Sequence, residues 1–165
     1  MKRNIVWVWI TVFFILLAYL AFLAAHLPEH LAVHFDVNGK PNGFQERMEF
    51  VTTFLGFILL LNAIFTVLFL VIDRLPMALV NIPWKKYWTA SPERWTEAHH
   101  RLRIVLGLLG IFVNVSFLVT EQVIYEANNP GMGTLLPFHS GIGTIFVMTA
   151  ILIGLVFWVS KPPKD

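Results

Sequence analysis

The chain has no cysteine, which removes disulfide frameworks, thiolate metal sites and cysteine nucleophiles together. Charge is scarce: 13% of the 165 residues are Asp, Glu, Lys or Arg, against about a quarter in ordinary soluble domains. No long basic run is present, so the electrostatic footprint of a nucleic-acid partner is missing. An HExxH zinc string is missing as well. What fills the space is apolar. Hydrophobic residues make up 57% of the chain, more than one soluble core hides. They gather in blocks, so the bilayer is the expected solvent for much of the molecule.

Four apolar runs stand out, at about 5–25, 50–72, 104–124 and 142–159. Each is close to the roughly 20 residues a helix needs to cross about 30 Å of hydrocarbon. The expected fold is therefore an all-α integral membrane protein, a four-helix bundle forming a single membrane domain over 1–165. Lys2 and Arg3 ahead of the first run, with Ala24 and Ala25 behind it, also fit a signal peptide, but the run is longer than a usual signal core and is read as a retained span. Lys2, Arg3, Arg74, Lys85, Lys86, Arg94, Arg101, Arg103, Lys161 and Lys164 fall on one side of the predicted membrane, and only Lys40 and Arg47 on the other. By the positive-inside rule both termini and the loop 73–103 are expected in the cytoplasm, with loops 26–49 and 125–141 outside.

The outer loop 26–49 contains a string that alternates from Leu31, so an extended chain puts Val33, Phe35 and Val37 on one face and His34, Asp36 and Asn38 on the other. Asn38-Gly39 and Pro41-Asn42-Gly43 are turn chemistry, which predicts a short ordered cap between spans one and two. His26, His30 and His34 recur every four residues, a spacing that on a helix gathers imidazoles for a metal. Pro28 and the alternation oppose that helix, so solvent-facing or turn-stabilising histidines are expected, with neither metal nor cofactor.

In the inner loop, Leu75 to Pro83 is too rich in proline for a long helix, and Trp84, Lys85, Lys86, Tyr87 and Trp88 suit the headgroup layer or a partner. Ser91-Pro92-Glu93-Arg94 is a helix start: a capping hydroxyl, proline at the first position and an acid at the positive end of the dipole. No breaker follows until about Tyr125, so this helix is expected to run into span three for about 34 residues, roughly 50 Å. Glu97 and Arg101 are ordered for an i,i+4 pair, while adjacent His99 and His100 carry no metal signal.

Three polar residues lie within the spans. Asn62 and Asn114 fall at matching depths and can meet, fixing which faces of spans two and three touch, or else line a polar path. Glu121, seven residues beyond Asn114 on nearly the same face, is costly in hydrocarbon unless protonated, paired or wetted. It is read as a ligand contact or proton-responsive group, or as snorkelling to the headgroups or bonding to the outer loop. A single acid makes no catalytic constellation. Gly107 and Gly110 in span three, with Ala150 and Gly154 in span four, permit close helix approach.

Leu27-Pro28, Val33-His34-Phe35, Asn38-Gly39 and Pro41-Asn42-Gly43-Phe44 resemble the signature of a bacterial membrane family of unknown function, whose domain also forms the front part of SdpI-type toxin-immunity proteins. Asn81-Ile82-Pro83, Tyr87-Trp88 and Pro92-Glu93-Arg94 resemble a motif between spans two and three of its stand-alone members. The resemblance implies a multi-pass bacterial inner-membrane protein and, for the immunity branch, binding of a toxin peptide and, in some members, capture of a cytoplasmic repressor. The chain lacks that branch's additional spans and second segment.

These signs favour a non-enzymatic binding, sensor or immunity-like protein. His34, Phe35, Asp36, Asn38, Gly39 and Glu121 would receive an extracytoplasmic peptide or membrane-protein partner. Trp84, Lys85, Lys86, Tyr87, Trp88, Glu93 and Arg94 would meet lipid or a cytoplasmic regulator, with homo-oligomers as a further option. The alternatives are a small transporter or membrane-complex subunit using Asn62, Asn114 and Glu121, and a metal-dependent membrane enzyme using the outer histidines.

Overall fold

The structure, a computed structural model, describes residues 2–129 and 138–163. Hydrocarbon offers backbone groups no partners, so each apolar run closes its own hydrogen bonds as a helix. The result is α1 (Lys2–His26), α2 (Arg47–Val71), α4 (Pro92–Asn128) and α5 (Phe138–Ser160), all long and apolar enough to cross a membrane. The short helix α3 (Lys85–Trp88) stands between α2 and α4, preceded by 3-10 turns at Ile72–Arg74 and Met77–Leu79. The two remaining elements, β1 (His30–Phe35) and β2 (Pro41–Glu46), pair antiparallel between α1 and α2.

Helix α4 is the axis: it packs against α1, α2 and α5 and touches β1 and α3. Its start follows the expected chemistry, with Ser91 Oγ accepting from the Arg94 N–H at 3.3 Å and proline in the first turn. It runs 37 residues, about three beyond the expected end at Tyr125. Asn128 ends it with a tertiary role that apolar periodicity does not show. The main core, Leu16, Leu20, Leu23, Leu27, Leu31, Phe50, Val51, Ile58 and Ile124, lies where α1, α2 and α4 meet below the hairpin.

Small residues set the closest approach. A methyl group on Gly107 would strike Ile5, and one on Gly110 would strike the Trp9 indole, so α1 lies directly against α4 there. The other expected pair differs: nothing lies within 4 Å of a methyl group built on Gly154, and Ala150 is exposed, so span four uses neither in packing. Position 141 supplies the contact instead, because a methyl group there would strike Val123 of α4.

The expected outer loop 26–49 is shorter than its bounds, since α1 reaches His26 and α2 starts at Arg47. Much of the inner loop 73–103 is likewise helical, as the first turns of α4. Of the expected loop 125–141, positions 130–137 lie outside the described residues.

Candidate functional site

The hairpin is built by its turn. Asp36 Oδ1 accepts from the Asn38 and Lys40 N–H groups at 2.8 and 2.9 Å, and Gly39 closes the turn at φ 76°, a conformation glycine adopts without strain. The bond from the Lys40 N–H, then that from Asn38, holds the Asp36 carboxyl below the usual carboxylate range. Register runs His30 with Glu46, Leu31 with Gln45, Ala32 with Phe44, His34 with Gly43 and Phe35 with Pro41, with irregularities on either side of His34. These breaks interrupt the expected alternation. Val37 leaves the Val33 and Phe35 face and sits in the turn, 89% exposed. Gly43 lets the strands close, because a methyl group there would stand 2.9 Å from His34 Cβ.

Two attachments hold the hairpin to the helices. At its base the Arg47 N–H bonds to Glu29 O at 2.7 Å and Arg47 Nη1 to Leu27 O at 2.8 Å. Along β1, the Asn128 amide acts as one more peptide unit: its Oδ1 accepts from the Ala32 N–H at 2.8 Å and its Nδ2 donates to Ala32 O at 2.9 Å. One edge of the hairpin is thus tied to the end of α4, while β2's outer edge pairs with no strand among the described residues. The unit so formed comprises the end of α1, the hairpin, the start of α2 and the end of α4.

Residues 11–61 match the domain of unknown function DUF1648. No curated protein and no solved structure matches the chain. The DUF1648 segment contains the whole hairpin and its base, whereas Asn62, Glu121 and Asn128 come from outside it.

The three outer histidines stay apart in role. His26 stacks on Phe22 with ring centroids 4.1 Å apart, His30 pairs with Glu46 at 2.7 Å, and His34 packs over Gly43. No group of three or more His, Cys, Asp or Glu suited to a metal occurs among the described residues.

Below the hairpin lies a polar cluster that sequence reading mostly missed. Tyr19 donates to Gln122 Oε1, and Gln122 Nε2 donates to Glu126 Oε1. Glu121 is fully buried, and neither carboxylate oxygen has a hydrogen-bond partner among the described residues. This corrects the expectation that it snorkels to the headgroups or bonds to the outer loop. Glu121 therefore does not join the exposed hairpin residues His34 and Asn38 on one surface. A 120 Å³ cavity lined by Val33, Phe35, Thr120 and Val123 sits close by, between β1, α4 and α5.

Deeper in the bundle Asn62 and Asn114 meet reciprocally, Nδ2 to Oδ1 at 2.8 and 3.1 Å. Trp9 Nε1 also donates to Asn62 Oδ1 at 2.8 Å, and Asn62 Nδ2 to Ile58 O at 2.8 Å, so Asn62 is saturated and the cluster joins three helices. The indole partner was not foreseen, since an aromatic near a span end reads equally as an interfacial anchor.

At the opposite end the inner-loop residues divide. Trp88 is buried and donates to Ser160 O at 3.0 Å, which removes it from any surface that meets lipid or a partner. Arg101 Nη1 bonds to Val159 O at 2.7 Å and Lys161 O at 2.9 Å, while its Nε pairs with Glu97 at 2.9 Å. Arg94 lies 4.1 Å over the Tyr87 ring. Trp84, the residue just ahead of α3, sits at φ 55°, a strained position for a large residue, with its ring edge-on to Phe157. Lys86, Glu93 and Trp84 are exposed, whereas Lys85 and Tyr87 are half-buried.

Proposed function

We propose that the chain is a non-enzymatic binding or sensor protein of a bacterial inner membrane. Both termini face the cytoplasm, and the hairpin faces outward to receive an extended peptide or a membrane-protein partner. The observation that carries this reading is the hairpin's asymmetry. Its β1 edge is tied down by Asn128, while its β2 edge is unpaired among the described residues and flanked by Val37 and Phe44 at 89% and 68% exposure. An open edge on a rigid base offers main-chain hydrogen bonds to an added strand, with neighbouring side chains setting specificity. Exposed Asn38 and His34 supply the polar part of that surface. The resemblance to immunity-type proteins agrees with an outward ligand of this kind. The excess of Lys and Arg at the end bearing the termini supports the orientation.

Orientation and binding are tested separately. The absence of native cysteine lets Asn38→Cys report alone: an impermeant maleimide should label it in intact cells, and labelling only after lysis would reverse the topology. A photo-crosslinker at Phe44 should yield one discrete adduct that disappears with Glu46→Pro, which removes a donor on the edge facing away from β1. Adducts indistinguishable from those at exposed Phe57 on α2 would overturn the binding surface.

A second reading, as a subunit of a transporter or other membrane complex, draws on Glu121. A buried carboxyl without a hydrogen bond is a group that a partner's donor or a transported ion would satisfy. Proton or cation flux in reconstituted vesicles that vanishes with Glu121→Gln would favour it.

A further inference from the structure

At the hairpin end α1 and α2 are locked by Leu16, Leu20 and Leu23 against Phe50 and Ile58, but toward the other end they leave a groove of 560 Å³ between them. Its walls include Trp9, Phe13, Leu59, Ala63, Thr66 and Leu70. The lining runs from Leu59 to Leu70 on α2, about 17 Å at 1.5 Å per residue, close to the roughly 15 Å depth of one leaflet's hydrocarbon. The groove's amide, Asn62, has its oxygen and nitrogen already engaged by Trp9, Asn114 and Ile58, so the lining asks for an apolar occupant.

The mouth carries positive charge. Arg74, one short turn beyond Leu70, is exposed and makes no hydrogen bond or ion pair among the described residues, because neighbouring Asp73 is taken by Arg103. Lys2 and Arg3 occupy the first turn of α1, just ahead of Val6, another residue of the lining. A second helix about 10 Å across, laid over the same length, would need on the order of 1,000 Å³, well beyond the groove.

We infer that this groove is a lipid site that seats an acyl chain of an anionic phospholipid in the leaflet at the chain-terminus end, with Arg74 meeting the phosphate. The inference is independent of the hairpin's ligand and of the membrane's orientation.

The test is native mass spectrometry of the full chain taken from nanodiscs of mixed phosphatidylglycerol and phosphatidylcholine. The unaltered protein should retain phosphatidylglycerol with a preference of about fivefold per arginine engaged. Ala63→Trp and Thr66→Phe, both at groove-facing exposed positions, should abolish retention, while Arg74→Gln should keep a lipid but lose the headgroup preference. Photoactivatable phosphatidylglycerol, with its reactive group in the acyl chain, tests the unaltered protein without substitution and should label α1 near Phe13 and α2 near Ala63. Equal retention in the groove variants, labelling elsewhere on the bundle, or a dimer that seals the groove in place of lipid would each overturn the assignment.

Discussion

Glu121 and Asp36 are both acids near the hairpin end, and their surroundings treat them in opposite ways. Glu121 is buried with no hydrogen bond to either oxygen among the described residues, so its polarity costs stability that an apolar side chain of similar shape would not. Glu121→Met is therefore expected to raise stability by about 1 to 3 kcal/mol. Thermal unfolding in detergent checks this, and a lowered midpoint would mean that the carboxyl has a structural partner. Asp36, by contrast, accepts two backbone N–H groups, chiefly that of Lys40, and its carboxyl is held below its ordinary value. A lowered folded-state value means that its contribution is present above the unfolded pKa and lost as pH falls through the folded one. The hairpin turn should thus loosen in acid, read as loss of protection at the Asn38 and Lys40 amides. Asp36→Asn should remove most of that pH dependence.

Among the elements, α4 determines how closely the others come. Gly110 receives the Trp9 indole, so Gly110→Leu should push α1 away, break the Trp9–Asn62 bond and cost about 1 to 3 kcal/mol or more. Gly154→Leu in α5 should be tolerated, because nothing lies near that position in the bundle. Equal melting temperatures for the two variants would contradict this account of the packing. The contrast also marks where sequence reading ends: four glycine or alanine positions carried the same weak small-residue signal, and only the neighbours facing them separate tight contacts from open ones. Asn128 is similar. At a helix end asparagine reads as a terminator, whereas here its amide completes the edge of β1.

For the whole molecule, α4 joins two ends that are built separately. One end ties the hairpin to Asn128, and the other ties the last carbonyls of α5 to Trp88 and Arg101. Arg101→Ala leaves those carbonyls without their donor, at a cost of about 1 to 3 kcal/mol, and should fray α5 near Val159. Hydrogen exchange should then rise there while Ala32 stays protected, and a rise at both ends would show that the ends are coupled. Composition and run length alone determined that four helices are long and apolar enough to cross a membrane, because hydrocarbon thickness and backbone satisfaction leave few other solutions. Local chemistry likewise determined the turn at Gly39 and the cap at Ser91, since each depends on residues a few positions apart. The meeting of Asn62 with Asn114 was legible from their depths, but the third partner Trp9 was not. Only the tertiary structure decided that Glu121 is sealed rather than wetted, that Trp88 is buried rather than interfacial, and that α1 and α2 part into a groove. Those outcomes depend on which faces of distant helices meet, a property that periodicity along one chain segment does not contain.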